Sequence, residues 1–199
     1  MPNEVRPETD VVMYEGRLVK LKLATAADYP LLYRWRFDST LTHYLCLDSS
    51  TVVFGQFIGW IREVHRANIV LLIFNKANDQ PIGYALTYSV DLWNGWLYFA
   101  FYIVPEFRMR RHLVEASLVC ADYLFSHFAL RKIYVEIYEF AERLLAHLKS
   151  QGYVEEGFTP NHYRHGDGYT GLWTLALYRE TWEQGRPWIE HWLPSTVTD

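Results

Sequence analysis

The sequence predicts a mixed α/β fold, a central, mostly antiparallel twisted sheet of about seven strands with helices on both faces, in the order βααβββαβαββ. Three observations predict it. Half of the 199 residues are hydrophobic and 21% are charged, which is enough to bury a sizeable core and too apolar for disorder. Period-two and continuous β-branched runs alternate with stretches of helical spacing. Turn chemistry separates them, at Lys76 to Gln80 and at Trp93-Asn94-Gly95.

The elements follow in order. From Gly16, Leu18, Lys20 and Lys22 alternate with Val19, Leu21 and Leu23, the pattern of a half-buried strand. Thr25-Ala-Ala-Asp28 supplies a variant capping box ahead of Tyr29, Leu32, Tyr33 and Trp35, a helix of about three turns. Val53, Phe57, Trp60, Ile61 and Val64 recur on one face of a second helix. Asn68 to Asn75, Pro81 to Val90 and Trp96 to Val104 form a three-stranded meander, its second reversal assigned to a type I′ turn at Asn94-Gly95.

Pro105 ends the third of these strands. A basic loop from Arg108 to His112 then enters a helix with Leu113, Ala116, Cys120, Tyr123 and Leu124 inward. Lys132 to Tyr138 is a strand, and Ala141 to Gln151 a helix with Leu144, Leu145 and Leu148 inward, ended by Gly152 in a left-handed conformation. Tyr153 to Phe158 and Tyr169 to Tyr178 are the last strands, joined by a polar loop holding His162 and His165. In domain terms, 1–14 reads as a disordered or extended lead-in, 15–182 as a single domain, and 183–199 as a tail with a short helix.

Charge narrows the function. A net charge of −4 leaves only a local cluster of Arg108, Arg110, Arg111 and His112, which does not make the basic stripe of a nucleic-acid binder. No run approaches the roughly 20 apolar residues of a membrane span, and MPNEVRPETD lacks the basic-then-apolar order of a signal peptide. Cys46 and Cys120 sit in unlike contexts, as reduced thiols in a cytoplasmic protein do. His162 and His165 have no third ligand at metal spacing, so no metal is expected.

Four stretches carry a family resemblance. They are Gly16-Arg-Leu-Val-Lys-Leu with Thr25 to Leu32, Pro81-Ile-Gly83, Val104-Pro-Glu-Phe-Arg108 with Glu115-Ala116, and Gly152-Tyr153 with Gly157-Phe158. Together with the closing Leu177-Tyr-Arg-Glu-Thr-Trp182, they resemble the GNAT superfamily of N-acyltransferases, in particular the branch that acetylates N-termini of ribosomal proteins and small amines. The resemblance implies a split between the third meander strand and the next one, with the acyl thioester and pantetheine lying in the V. The donor residues implied are Ile103, Val104, Arg108, Arg110, Arg111, His112 and Leu113.

The loop departs from the family pattern. Met109, Arg111 and Leu113 stand where the family has Gly, so the pyrophosphate loop is degenerate. A phosphate approaches backbone most easily at Gly. Three readings stay open: arginine side chains holding coenzyme A by charge-assisted bonds, a single-phosphate donor such as acyl-phosphopantetheine on a carrier protein, or no donor. The usual catalytic positions depart too, with Tyr98 in place of a Glu and Ala141 and Leu148 in place of an Asn and a Tyr. Candidate acids and bases are therefore Tyr98, Glu136 and Tyr138, with His147 and His162 near the expected cleft. A one-residue register shift decides whether Glu136 faces cleft or surface.

On the acceptor side the resemblance implies Tyr33, Trp35, His43, Tyr163 and Tyr169, with Phe37, Tyr44 and His165 beside them, a lining expected to suit an apolar or aromatic acceptor or a long acyl chain. The expected activity is transfer of an acetyl or other acyl group from acetyl-CoA or another acyl-CoA to a small-molecule or peptide amine, by direct attack in a ternary complex. The alternatives are a GNAT-fold binding or regulatory protein and an acyltransferase fed by a carrier protein. Sheet edges fit a monomer or a homodimer.

Overall fold

A computed structural model describes residues 12–37, 53–108 and 110–189. One eight-stranded sheet runs through it in the order β1-β2-β3-β4-β5-β6-β8-β7. Its strands are β1 (Val12–Glu15), β2 (Val19–Leu23), β3 (Val70–Asn75), β4 (Gln80–Asp91), β5 (Trp96–Ile103), β6 (Lys132–Tyr138), β7 (Val154–His165) and β8 (Gly168–Tyr178). All neighbours are antiparallel except β5 and β6, which are parallel. The eighth strand, beyond the expected seven, is β1, which pairs with β2 through Tyr14 and Leu21 and begins inside the stretch assigned to the lead-in.

Helices α1 (Tyr29–Arg36) and α2 (Phe54–Ala67) lie on one face; α3 (Arg111–His127), α4 (Glu142–Ser150) and α5 (Arg179–Ile189) pack on the other. The continuous apolar run of β3 has a simple cause. Val70 and Leu72 are buried against Phe57 and Ile61 of α2, while Leu71 and Ile73 face Val119 and Leu124 of α3. A central strand covered on both faces has no side for a polar set. Trp182 of α5 is buried and stacks on Phe125 of α3 at 5.9 Å, so this helix continues the fold through the expected boundary at 182/183.

Glu115, fully buried on α3, ties the β1–β2 turn to the helix by accepting the backbone N–H groups of Leu18 (2.6 Å) and Val19 (3.0 Å). A Cβ at Gly16 would run into that carboxylate, which explains the glycine beside it. Gly152, at φ +88°, ends α4 as expected.

Local expectations are corrected in four places. The β4–β5 reversal is not type I′, because Gly95 has φ +71° but Asn94 does not have the positive φ that turn demands; Asp91 Oδ1 instead accepts the Asn94 N–H at 2.9 Å. The polar loop around His162 is strand: β7 runs on to His165 and turns in two residues, Gly166-Asp167, into β8. Val53, Trp60 and Leu144, placed inward by spacing, are exposed; the buried residues of α2 are Phe57 and Ile61, and α4 packs through Leu145 and Leu148. The first helix is short, eight residues after a 3-10 turn at Ala26–Asp28, in which Asp28 accepts the Thr25 N–H at 2.8 Å.

Candidate active site

The defining feature is where β5 and β6 part. They pair only at Trp96–Lys132, Leu97–Ile133 and Tyr98–Tyr134, and the ladder stops there although β5 continues to Ile103 and β6 to Tyr138. Val104 donates its N–H to Ile82 of β4 at 2.9 Å. By alternation along the strand, the backbone groups of Phe99, Phe101 and Ile103 then face the gap. A V with polar backbone on one wall results.

Beyond the V, a 3-10 turn at Pro105–Phe107 leads to the N-terminus of α3. Arg110 is the extended N-cap, with no side-chain cap and no acid in the first turn, and the Arg111 and His112 N–H groups belong to that first turn. The basic residues do not all point one way. Arg108 Nε donates to the Ile103 carbonyl at 2.8 Å, and its guanidinium lies 5.4 Å from the Tyr102 ring centre. The Arg110 guanidinium lies 5.2 Å from the Phe107 ring, and His112 meets the same ring edge-on at 4.9 Å. Burial lowers the His112 pKa against the opposing pull of Glu115, with the nearby Arg110 charge lowering it further. Met109 lies outside the described residues.

On the α1/α2 face of the sheet the V is floored by tyrosines. Tyr98 stacks on Tyr134 at 4.8 Å and meets Tyr88 of β4 at 5.2 Å. Ala100 is the next residue of β5 on that face and leaves space between Tyr98 and Tyr102. Glu136 is half-buried and faces the cleft: its Oε2 accepts the Tyr88 hydroxyl at 2.9 Å across the line of β5. Burial first, and then the charge of Glu136, push the Tyr88 phenol well above its ordinary value, so it stays a donor. Burial and Glu136 also raise Tyr98.

At the outer end of β6, Tyr138 stacks parallel to Phe140 at 5.6 Å and meets Tyr163 edge-on at 5.3 Å, while Phe140 stacks on His165 at 4.1 Å. Of the residues expected on the acceptor side, Trp35 packs over Tyr84 and Tyr102, and Tyr33 packs against Phe54 and Phe57 of α2. Tyr169 is exposed, and His43 and Tyr44 lie outside the described residues. His147 is exposed on α4, and His162 is exposed on β7. The structure thus groups Tyr98, Glu136 and Tyr138 with Tyr88, a residue that sequence reasoning did not single out. A signal was available, since β4, β5 and β6 each carry tyrosines four residues apart, at 84/88, 98/102 and 134/138.

Among the described residues, no group of three or more His, Cys, Asp or Glu is placed to hold a metal, and no helix is long and apolar enough to cross a membrane. A hollow of about 620 Å³ opens away from the V, at the C-terminal end of α3. It is built around Arg179, which caps that helix by donating to the carbonyls of Phe125 (2.9 Å), Phe128 (2.8 Å) and Leu130 (2.6 Å), with His127 and Glu180 also in its lining.

Known proteins agree with this architecture. The family model described as an acetyltransferase (GNAT) domain matches residues 18–154, and the chain belongs to that family. No curated protein sequence matches it. Among solved structures, it is similar to a spermidine N-acetyltransferase from Vibrio cholerae in complex with CoA and spermine, at 16% identity over 83% of this chain and 98% of that one, with a TM-score of 0.72. It is similar also to a GCN5-related N-acetyltransferase from Brucella melitensis (18%, 97% and 89%, TM-score 0.73) and to FdhC, a nucleotide-linked sugar GNAT (15%, 92% and 100%, TM-score 0.72). At these identities the likeness is one of fold.

Proposed function

We propose that the protein transfers an acetyl or other acyl group from acyl-coenzyme A to an amine, by direct attack in a ternary complex. The parting of β5 from β6 after Tyr98 and Tyr134 carries this reading, because it leaves the gap-facing backbone of Phe99 and Phe101 outside the β5–β6 ladder, available to hold the amides of a pantetheine arm. The first-turn N–H groups of α3, which begins at Arg111, follow the V and its 3-10 turn, where a phosphate would sit. Membership of the GNAT family and the fold shared with the CoA-bound spermidine acetyltransferase support the same donor.

In this mechanism the V aligns donor and acceptor, a gain in proximity that can reach about 7–11 kcal/mol. Glu136 takes the acceptor's proton, directly or through water, and Tyr88 holds that carboxylate in place. Tyr98 and Tyr138 line the approach. The nitrogen then bonds to the acyl carbon, the carbon–sulfur bond breaks, and sulfur leaves protonated as the thiol.

A second reading follows from Arg108. Its Nε is engaged with Ile103, which leaves fewer guanidinium contacts for a pyrophosphate and favours a donor with one phosphate, such as acyl-phosphopantetheine on a carrier protein. Calorimetry separates the two. Micromolar binding of acetyl-CoA and CoA is expected; binding of acyl-phosphopantetheine with none of CoA at millimolar concentration selects the second reading, and binding of neither overturns acyl transfer.

A further inference from the structure

The β4–β5 turn and the hollow at the C-terminal end of α3 lie side by side, at the opposite end of β5 from the V. The Gly95 carbonyl accepts the N–H groups of Arg131 (2.6 Å) and Lys132 (3.2 Å), which ties the turn to a segment that lines the hollow. Gly95, at φ +71°, has no Cβ to press on the Ala129 carbonyl and the Arg131 N–H, each of which a Cβ would meet at 3.2 Å. Asp91 orders the turn by accepting the Asn94 N–H at 2.9 Å and the Asn94 side-chain amide at 2.7 Å. That ordered support presents two apolar side chains to water: Trp93 is 96% exposed and Leu92 56%.

An indole so exposed does not fill the hollow of its own chain. That hollow, about 620 Å³, is lined by Phe125, Phe128, Ala129 and Leu130, and its volume lies within the range that takes a small aromatic molecule. Its charges are unevenly engaged. Arg179 is held by three carbonyls and lies 3.5 Å from Glu183, whereas the Arg131 side chain is exposed and has no ion pair among the described residues. The turn carries the opposite sign, since Asp91 is its one charged side chain. A knob and an acid therefore stand next to a hole and a base.

From this juxtaposition we infer that the surface binds a second copy of this chain: Trp93 of each protomer enters the hollow of the other about a two-fold axis, and Asp91 lies beside the partner's Arg131. Adjacency makes the two-fold possible. A knob and a hole on one surface close at two copies, whereas the same pair on opposite surfaces would generate an open filament. A lipid surface fits less well, because the charge beside the indole is an acid, which anionic headgroups repel. Each copy contributes one turn and one hollow, a contact at the small end of specific interfaces, so the dimer is weak and reversible. The V opens at the other end of β5, and the inference does not depend on acyl transfer.

The test is sedimentation of the full chain from about 1 μM to about 1 mM, a range that spans weak self-association. The mass should rise from one chain to two and stop there, with a dissociation constant on the order of 10–100 μM. Trp93→Ala should weaken the dimer about tenfold or more without changing the melting temperature, since the side chain it removes is exposed. Ser126→Trp, which crowds the hollow and leaves the turn intact, should weaken it to a similar degree. Arg131→Gln should weaken it roughly threefold and reduce its sensitivity to salt. With fluorotryptophan incorporated, the fluorine resonance that Trp93→Phe removes should shift with protein concentration. A single-chain mass at the highest concentration, growth beyond two chains, or an equal dimer affinity in Trp93→Ala overturns the inference. Binding of the monomer to phosphatidylcholine–phosphatidylserine vesicles that Trp93→Ala abolishes overturns it as well, by assigning the turn to a lipid surface.

Discussion

The two ends of β6 use similar side chains to opposite effect. At its start, β5 is paired alongside, Lys132 is nearly buried, and the carboxylate of Glu156 is matched by a cation and two phenols. Towards its end β5 has moved away, and among the described residues Glu136 is hydrogen-bonded by the Tyr88 hydroxyl alone. The first arrangement is consistent with stability and the second with function. A carboxylate whose partners are all internal has nothing left to offer a ligand, whereas one held by a single neutral donor keeps one oxygen available.

Experiments at each end can break or sharpen that contrast. The largest effect is expected from Ile133→Ala, at the paired end, where a side chain 1% exposed lies opposite Leu97: about 2–5 kcal/mol of stability should be lost in urea unfolding. Lys132→Met should cost about 1–3 kcal/mol, because it leaves Glu156 without its cation, and should leave turnover per folded molecule unchanged. A fall in turnover as large as that of Glu136→Gln would erase the distinction between the two ends.

The acid limb gives a smaller, graded signal. Burial alone would raise the Glu156 pKa, but hydrogen bonds from Lys132, Tyr178 and Tyr134 outweigh it and hold the carboxyl at about 2, below its ordinary 4.5. A depressed folded-state pKa means stability that is present above pH 4.5 and lost as pH falls from there towards 2. Thermal melts of the wild type should follow that course, and Glu156→Gln should flatten it. The smallest change is expected for Tyr88→Phe, whose melting should differ from the wild type by less than about 1 kcal/mol of stability. A larger loss would make the Tyr88–Glu136 bond part of the framework.

The framework was largely readable in the sequence because it rests on local chemistry. The continuous run of β3, the Pro after β5 and the Gly after α4 each announce a structure that the chain adopts where it stands. The fold class and most elements follow from such signals, and the family resemblance from the order of four short stretches. What escaped depends on distant partners. The Asn94-Gly95 pair reads as a type I′ turn in isolation, but the Asp91 side chain selects another. The end of β7 looks like loop, since its residues are polar, yet it pairs with β8 to the tip.

The site was legible only in part. Glu136 and Tyr98 are candidates from the sequence, but the face on which Glu136 lies hangs on register, and Tyr88 reaches it only because a tyrosine on β4 spans the line of β5. Arg108, proposed from its charge as a phosphate holder, has its Nε on the Ile103 carbonyl, a contact that no spacing rule anticipates.

The outer rim of the sheet has a consequence for life in a concentrated solution. Three residues of β7, Pro160, Asn161 and His162, stand opposite Gly171 alone, and Asn161 adopts φ +50°. Pro160 has no N–H to offer, and the distortion breaks the row of donors and acceptors that another extended segment would need to latch on. The same irregularity that carries Tyr163 and His165 towards the cleft therefore also makes this border a poor seed for strand-by-strand growth into aggregates.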